Sequence, residues 1–330
     1  MKKLILSAIC LTLLITSCTR KQYYFVEGEA QGSTFHITYE GSKDYSYEID
    51  SILKAFDQSL SGYIDNSIIS RINKNDSTVK PDEWFTTVFN KSKEVYVTSD
   101  GMFDLTVGPL VKAWGFLKDT TIKHDSAHIK ELLQYVGMDK VRIENGQVIK
   151  DNPNIVIDVN AIAQGFSVDV VADFLEKEGC INYLVEIGGE LKAKGVNAKG
   201  NTWRIGIDKP EDGNQIAGAN IQAIVEISGK SLATSGNYRK FFVENGVKFA
   251  HTINPKTGFP AKNTLLSATI IADDCMTADA YATVCMASGL NKSLEVLKKV
   301  KGLEAYLIYN DNEGKYQTHV TDGLKGMIKE

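Results

Sequence analysis

The sequence lacks a basic excess, a cysteine framework and a long internal apolar run, and each absence excludes a class of protein. Its 330 residues carry 37 Lys and Arg against 41 Asp and Glu, for a net charge of -4. Without a basic cluster, we expect no nucleic-acid partner. Beyond the N-terminus, no apolar stretch approaches the roughly 20 residues that a membrane-spanning helix needs.

The five cysteines include no CxxC pair. Cys10 and Cys18 lie near the N-terminus, which leaves Cys180, Cys275 and Cys285 for the rest of the chain. Cysteines in this number and spacing form neither a disulfide framework nor a zinc site. We expect the last two to be small apolar residues of a helix.

The N-terminus has the layout of a signal peptide. Two lysines follow Met1, and residues 4–15 form an apolar run too short to span a membrane. The run ends in Ile15-Thr16-Ser17-Cys18, which resembles a bacterial lipobox. The alternative is an ordinary cleaved signal with a chance cysteine. We therefore predict a lipoprotein signal peptide over residues 1–18.

Lipidation of Cys18 would make this cysteine the first mature residue. Acyl chains there would anchor a soluble domain to a bacterial membrane, facing the periplasm. Residues 19–28 are then expected to form a short tether, with the folded domain over residues 29–330.

Hydrophobic periodicity predicts a single α+β catalytic domain with mixed or antiparallel sheets and flanking helices. No repeat, low-complexity segment or linker divides it. Predicted helices cover residues 48–60, 84–98, 127–135, 166–178, 275–288 and 292–299. Predicted strands cover residues 32–39, 154–159, 183–187, 203–207, 221–227, 266–272, 305–309 and 316–320. Asn145-Gly146 predicts a hairpin turn.

Asp279 and Thr283 stand four residues apart in an Ala-rich helix, so both side chains leave the same helix face. A buried carboxylate there needs a cation or strong donors. An oxygen pair at this spacing suits Mg²⁺, which keeps several waters, and does not suit zinc. The alternative, equally supported, is an aspartate bonded to backbone donors beside a core threonine.

Two further residues are candidates whose patterns favour a structural role when taken alone. Asp158 precedes a small-residue loop and a helix start, where backbone N–H groups can meet an anion, but the spacing is not GxGxxG. It could bind a ligand or cap the loop. His251 precedes the rigid turn Asn254-Pro255-Lys256-Thr257-Gly258 and could be a general base or a hydrogen-bonded structural residue.

Short motifs follow one another along most of the chain. They are GST at 32–34, SGY at 61–63, DNS at 65–67, GMFDLTVGP at 101–109, WGF at 114–116, DVNAIAQG at 158–165, LVEIGG at 184–189, TSG at 234–236, HTINPKTG at 251–258 and ADA at 278–280 followed by Thr283. In this order they resemble the ApbE family of flavin transferases, the FAD:protein FMN transferases. The resemblance covers nearly all of the mature chain.

The resemblance implies an activity and a site. Such enzymes bind FAD with Mg²⁺, move its FMN half to a threonine hydroxyl of an acceptor protein and release AMP. The acceptor is expected to be a flavoprotein of a membrane electron-transport system. By position, Asp279, Thr283 and the carbonyl of Ala161 would hold Mg²⁺, and His251 would be the base.

The flavin nucleotide site implied by the resemblance draws on several segments. Its residues are Gln31, Tyr63, Met102, Phe103, Asp104, Asp158, Gln164 and Ile253. Two of them depart from the family pattern, because Gln31 stands where methionine is common and Gln164 where lysine is common. Without that cation, nucleotide affinity is expected to depend more on Mg²⁺.

Two other functions use the same residues. Water could replace the threonine hydroxyl, which would make the protein an FAD pyrophosphatase that yields FMN and AMP. The protein could also be a lipid-anchored flavin-binding protein without catalytic activity.

Overall fold

A computed structural model describes residues 21–116, 125–211, 218–237, 241–244, 247–250 and 252–329. The predicted signal peptide with Cys18 and the candidate base His251 lie outside these ranges. None of the helices that the structure describes combines the length and the hydropathy that a bilayer span requires.

The described strands are β1 (Gln22–Ala30), β2 (Ser33–Gly41), β3 (Val141–Glu144), β4 (Gln147–Lys150), β5 (Tyr183–Ile187), β6 (Glu190–Lys194), β7 (Trp203–Asp208), β8 (Ile221–Ile227), β9 (Lys230–Gly236), β10 (Phe241–Glu244), β11 (Val247–Ala250), β12 (Leu265–Ala272), β13 (Glu304–Asn310), β14 (Tyr316–Val320) and β15 (Ile328–Lys329). The described helices are α1 (Ser46–Leu60), α2 (Ile68–Asn73), α3 (Glu83–Thr98), α4 (Gly108–Ala113), α5 (Ser126–Leu132), α6 (Ala163–Lys177), α7 (Cys275–Ser288), α8 (Leu290–Lys299) and α9 (Asp322–Lys325). Short 3-10 turns lie at Leu105–Val107, Leu133–Tyr135 and Met138–Lys140.

One large sheet organises the described part of the chain. Its eight strands lie in the order β1-β2-β5-β6-β9-β12-β13-β14, and every pairing between them is antiparallel. Helices α6 and α7 pack on one face, and the small sheet β15-β8-β7 covers part of the other through a shared apolar cluster. The α+β architecture predicted from the sequence is confirmed.

Strand β12 lies between the helices and the small sheet, which explains why its sequence, LLSATIIA, has no charged residue on either face. Ala268 and Ile270 join the helix-side core, whereas Ile271 joins the cluster against the small sheet. A strand covered on both faces has no solvent-facing side to be polar.

Helix α7 is buried along most of its length and consists mainly of apolar residues, as expected for a helix in the centre of a core. Its N-cap Asp274 accepts a hydrogen bond from the Thr277 amide (2.7 Å), and Gly289 ends it with a positive φ of 76°. Both boundaries agree with the sequence prediction, because capping residues act through local contacts.

The strand predicted over residues 154–159 is wrong. The segment is extended, but it pairs with no strand of the described residues. Instead, the side-chain amide of Asn73 donates to the Ile157 carbonyl and accepts from the Ile157 amide, both at 2.8 Å. The Asp158 amide donates to the Leu105 carbonyl at 2.7 Å. Side-chain and loop partners thus satisfy a buried backbone that resembles a core strand in sequence.

The predicted tether over residues 19–28 also needs correction. Strand β1 begins at Gln22 and pairs with β2 along its whole length, so most of that segment belongs to the large sheet. The two strands meet at a tight turn in which Gln31 (φ 55°) and Gly32 (φ 73°) both have positive φ. A two-residue turn of this kind matches the twist of the strands that it joins.

Strands β6 and β9 were not anticipated, and both are central to the sheet. Their sequences, ELKAK and KSLATSG, are short and weakly patterned. Each of the two strands is held by an antiparallel partner on either side. The pairing of β9 with β12 joins segments that are not neighbours in the chain.

Gly165 sets the separation of α6 and α7. A Cβ atom at this position would lie 2.4 Å from the Cys275 carbonyl oxygen and 2.7 Å from Asp279 Cβ. Because one of these atoms belongs to the backbone, the two helices would have to move apart to accept any side chain.

Replacing Gly165 with alanine should therefore destabilise the fold, although alanine is ordinarily the better helix former by about 1 kcal/mol. Overpacking of this kind costs about 1–3 kcal/mol. Denaturant unfolding of the Gly165→Ala variant measures the loss. Gly326→Ala is the matched control, because Gly326 has an ordinary φ of -72° and no atom within 4 Å of its Cβ position. Equal unfolding midpoints for Gly165→Ala and wild type would contradict the close contact.

Candidate functional site

One of the metal residues predicted from the sequence, Asp279, lies where α6 begins beside α7. The Gly165 amide, in the first turn of α6, donates a 3.0 Å hydrogen bond to Asp279 Oδ2. Asp279 is only 5% exposed, and Thr283 lies one turn further along α7 and is partly exposed. Ala161 belongs to the turn that leads into α6. The positive end of the α6 dipole compensates part of the Asp279 charge.

A second carboxylate connects the same two helices, but this one belongs to α6 and accepts hydrogen bonds from α7. Asp169, in α6, accepts hydrogen bonds from the Cys275 amide (2.9 Å, to Oδ1) and the Met276 amide (2.8 Å, to Oδ2) at the start of α7. Lys192 Nζ in β6 lies 3.5 Å from Asp169 Oδ1. Burial raises the pKa of Asp169 to about 6, although the Lys192 charge and the two amides oppose the shift. Each helix therefore supplies a carboxylate to the first turn of the other.

Gln31 and Gln164, the two departures from the family pattern, lie together. The Ser167 hydroxyl contacts the Gln31 amide oxygen at 3.2 Å and the Gln164 carbonyl at 2.7 Å. The Gln164 side chain lies against Gly188, since a Cβ there would be 1.5 Å from Gln164 Nε2. The β1–β2 turn, the start of α6 and the Gly188-Gly189 turn thus meet at one place.

Asp158 and Tyr63 form a neighbouring group. The Asp158 carboxylate accepts a 2.8 Å hydrogen bond from the Asn160 amide, and burial raises its pKa. Asn160 Nδ2 reaches the Tyr63 hydroxyl at 3.5 Å. The Tyr63 ring is 59% exposed, which leaves it available to stack on a planar ligand. The carboxylate orders the loop and is not the cap of α6, whose N-cap Ile162 makes no side-chain bond.

Met102, Phe103 and Asp104 are almost entirely buried. Phe103 packs in the main apolar core, so a ligand could reach it only through its backbone. Asp104 Oδ1 accepts from the Thr106 amide (2.7 Å) and the Thr106 hydroxyl (2.5 Å). Burial raises the pKa of Asp104 to about 6.

An open cavity of about 370 Å³ lies beside this segment. Its lining residues are Tyr96, Val97, Asp100, Gly101, Asp104, Val136, Gly137, Pro255 and Lys256. Neither Asp279 nor Thr283 lines it. The cavity therefore adjoins the predicted nucleotide residues and not the predicted metal residues.

The Asn254–Gly258 turn is held from several sides. The Trp114 indole donates to the Gly258 carbonyl at 2.8 Å, and Lys256 Nζ lies 2.8 Å from Asp100 Oδ2. Asn254 Oδ1 accepts from the Lys256 amide at 2.9 Å. The rigidity predicted for this turn agrees with these contacts.

Ile253, just before that turn, is 7% exposed and packs with Leu110, Trp114 and Ile129. Its side chain belongs to an apolar cluster, so a nucleotide contact there would come from its backbone. His251 precedes it by two residues but lies outside the described residues, and its role as a base stays a prediction.

The donor types at the α6–α7 junction fit Mg²⁺. The predicted set is one carboxylate, one hydroxyl and one backbone carbonyl, all of them oxygen ligands of the kind that Mg²⁺ prefers. Within the described ranges, His, Cys, Asp and Glu form no group of three or more that could hold a metal ion. A site rich in nitrogen or sulfur, as zinc requires, is thus not found there.

Asp169, Asn160 and Asn73 were missed by sequence reasoning. Asp169 does leave a signal, since it is a carboxylate on the apolar face of α6 between the buried residues Val168 and Val171. The other two look like ordinary loop or cap residues, and only their distant partners give them a role.

The family model, the related sequences and the solved structures that match this chain all belong to ApbE flavin transferases. A sequence model of the ApbE family matches residues 31–307. A protein of Haemophilus influenzae named FAD:protein FMN transferase is 35% identical over 333 residues, which cover 95% of each chain. A Vibrio cholerae protein of the same name is 35% identical over 303 residues, which cover 88% of this chain and 89% of the relative.

Solved structures share the fold. The flavin transferase ApbE from Vibrio cholerae superposes with a TM-score of 0.82 at 32% identity, covering 93% of this chain and 100% of that one. The apo form of Pseudomonas stutzeri flavinyl transferase ApbE also gives 0.82, at 30% identity, covering 93% and 97%. From its order of motifs, its fold and these matches along nearly the whole length, the chain belongs to the ApbE family.

Proposed function

We propose that this chain is a Mg²⁺-dependent FAD:protein FMN transferase. It would take FAD as substrate, attach FMN to a threonine hydroxyl of an acceptor flavoprotein and release AMP. The acceptor we propose is a flavoprotein of a membrane electron-transport system. Relatives of nearly equal length bear the name FAD:protein FMN transferase, which supports the reaction.

The main structural support for this proposal is the arrangement of residues where α6 begins beside α7. There the Gly165 amide bonds Asp279, and Thr283 follows one turn along the same helix. A helix N-terminus beside a buried carboxylate offers backbone N–H groups to an anion and a carboxylate to a cation. A metal-bound pyrophosphate presents both charges in one molecule.

The proposed transfer is a single substitution at phosphorus, in which one P–O bond forms and another breaks. The threonine oxygen forms a bond to the phosphorus of the FMN half, and the bond from that phosphorus to the bridging oxygen breaks. AMP leaves with the bridging oxygen and its electron pair. The hydroxyl proton passes to His251, because threonine is a weak nucleophile until a base accepts that proton.

Asp279, Thr283 and the carbonyl of Ala161 would hold Mg²⁺ in this reaction. By holding the ion there, these three groups would place a positive charge beside the pyrophosphate, where negative charge develops as AMP departs. The Asp279 carboxylate is the only full negative charge of the set, so it dominates the attraction for the cation.

The nucleotide would lie along the residues next to this junction. The exposed ring of Tyr63 can stack on a planar base, and Asp158 and Asn160 beside it offer polar atoms. Gln31 and Gln164 supply amide groups, and of these two positions only that of Gln164 commonly carries a cation, lysine, in the family. Met102, Phe103, Asp104 and Ile253 would contact the ligand mainly through backbone atoms, because their side chains are buried.

We also propose that the mature protein is a lipoprotein. Lipidation at Cys18 would hold the domain at a bacterial membrane on the periplasmic side, close to acceptors in the same membrane. Strand β1 begins at Gln22, only a few residues after that cysteine, so the domain would lie near the bilayer surface.

Incubation with FAD, Mg²⁺ and a competent acceptor should add the mass of one FMN to the acceptor threonine. Intact-protein mass spectrometry detects the adduct, and chromatography follows AMP. A matched incubation without acceptor should release little AMP. FAD binding with no adduct would overturn the transferase proposal, and AMP release that needs no acceptor would identify a pyrophosphatase instead.

Asp279→Asn should abolish most Mg²⁺-dependent transfer while leaving the fold intact. The amide oxygen can still accept from Gly165, but the charge that attracts the cation is gone. We expect a loss of about 100-fold, equivalent to about 2.7 kcal/mol. Transfer rates at a series of Mg²⁺ concentrations measure it, with Asp279→Ala as the variant that also loses the hydrogen bond. A wild-type rate in Asp279→Asn would remove Asp279 from the metal site.

Cys18→Ser should release the protein from the membrane fraction without changing transfer by the purified domain. Fractionation of cells, together with the mass of the mature N-terminus, tests this. The expected result is a lipid mass on Cys18 in the wild type and none in the variant. A wild-type protein that fractionates as soluble and lacks the lipid would refute the anchor.

A further inference from the structure

Asp169 makes a two-point attachment between α6 and α7. Its two carboxylate oxygens accept from different amides, those of Cys275 and Met276, at 2.9 and 2.8 Å. A bidentate contact restricts the rotation of α7 as well as its distance from α6. A single hydrogen bond would fix the distance alone.

This attachment is additional to the ordinary cap of α7. Asp274 already accepts from the Thr277 amide at 2.7 Å and completes a standard N-cap. Asp169 therefore does not stand in for a missing cap. What it adds is a connection from the first turn of α7 to another helix.

The reverse connection completes the arrangement. Asp279 of α7 accepts from the Gly165 amide of α6 at 3.0 Å. Asp169 follows Gly165 by one helical turn, and Asp279 follows Cys275 by one turn, so the two connections are spaced equally on both helices. Two parallel links of this kind hold the helices in one relative position.

Burial makes the ionised form of the Asp169 carboxylate less stable than it would be in water. Asp169 is 7% exposed, and burial raises its pKa from 3.8 to about 6, so the group ionises less readily in the folded protein. Its contribution to stability is complete below about pH 3.8 and is lost as the pH rises through about 6. Lys192 opposes the shift and Asp274 adds to it.

We propose that Asp169 is a positioning residue for the Mg²⁺ site, fixing α7 against α6 so that oxygen donors from both elements meet at the correct distance. The inference rests on the proposed function. Asp279 and Thr283 come from α7, whereas Ala161 comes from the turn that begins α6, so their separation depends on how the two helices lie. Asp169 itself touches neither metal nor substrate.

Asp169→Asn tests the proposal, because one amide oxygen remains as an acceptor while the other becomes a donor facing an N–H group. The control is Asp274→Asn, which makes the same change at the N-terminus of the same helix, where the carboxylate accepts from the Thr277 amide of α7 itself. Asparagine is as good an N-cap as aspartate. Denaturant unfolding compares the stability of both variants with that of the wild type.

Calorimetric titration of Mg²⁺ into FAD-loaded protein is the decisive measurement. Outer-shell substitutions weaken metal binding about 10–100-fold, and we expect that range for Asp169→Asn. Asp274→Asn should stay within about twofold of the wild type, and FAD affinity without Mg²⁺ should change in neither variant. Unchanged Mg²⁺ affinity in Asp169→Asn, or an equal loss in both variants, would overturn the positioning role.

Asp169→Glu covers the case in which the asparagine variant does not fold. It keeps the charge and both acceptor oxygens but adds a methylene between the helices. Positioning requires weaker Mg²⁺ binding in this variant, and wild-type affinity would contradict it. If the wild type binds Mg²⁺ and transfers FMN, and the Asp169 variants bind Mg²⁺ equally well, only the positioning role of Asp169 is refuted. A wild type that does neither defeats the proposed function.

Discussion

The close contact of α6 and α7 at Gly165 is the constraint on which the site depends. With no side chain at Gly165, its backbone can lie against the Cys275 carbonyl, where a Cβ atom would be at 2.4 Å. That proximity brings Asp279 within hydrogen-bond distance of the Gly165 amide and Asp169 within reach of the α7 amides. Two helix N-termini with partial positive charge thus approach each other, and each is neutralised by a carboxylate from the other helix.

The rest of the fold supplies the surroundings of this junction. The large sheet supports both helices on one face, and its β1–β2 turn places Gln31 beside the first turn of α6. The extended segment after Asn152 runs from the core to Asp158 and Asn160, where the exposed Tyr63 ring lies. Across the cavity, the turn that begins at Asn254 is held by Trp114 and Asp100. Helices, sheet and fixed turns therefore hold the predicted nucleotide residues in place from several parts of the chain.

The sequence predicted helix ends and turns correctly where their conformation depends on residues that are close together in the chain. Helix α7 begins and ends where its cap residues indicate, and the hairpin at Asn145-Gly146 has the positive φ angles that this dipeptide favours. Predictions were wrong where a distant partner decides. Residues 154–159 look like a buried strand, but Asn73, 84 residues away from Ile157, satisfies the backbone instead of a neighbouring strand. The residues before position 29 look like a tether, but pairing with β2 draws them into the sheet.

By itself, the sequence determined the α+β class, the family resemblance, most element boundaries and the spacing that puts Asp279 and Thr283 on one helix face. These follow from periodicity, capping and motif order, which are properties of neighbouring residues. The tertiary structure alone decided that Asp169 bonds the start of α7, 106 residues away from it, and that Phe103 and Ile253 point into apolar clusters. Which donor lies opposite a carboxylate depends on how helices and sheet pack, and residue spacing along the chain does not encode that distance.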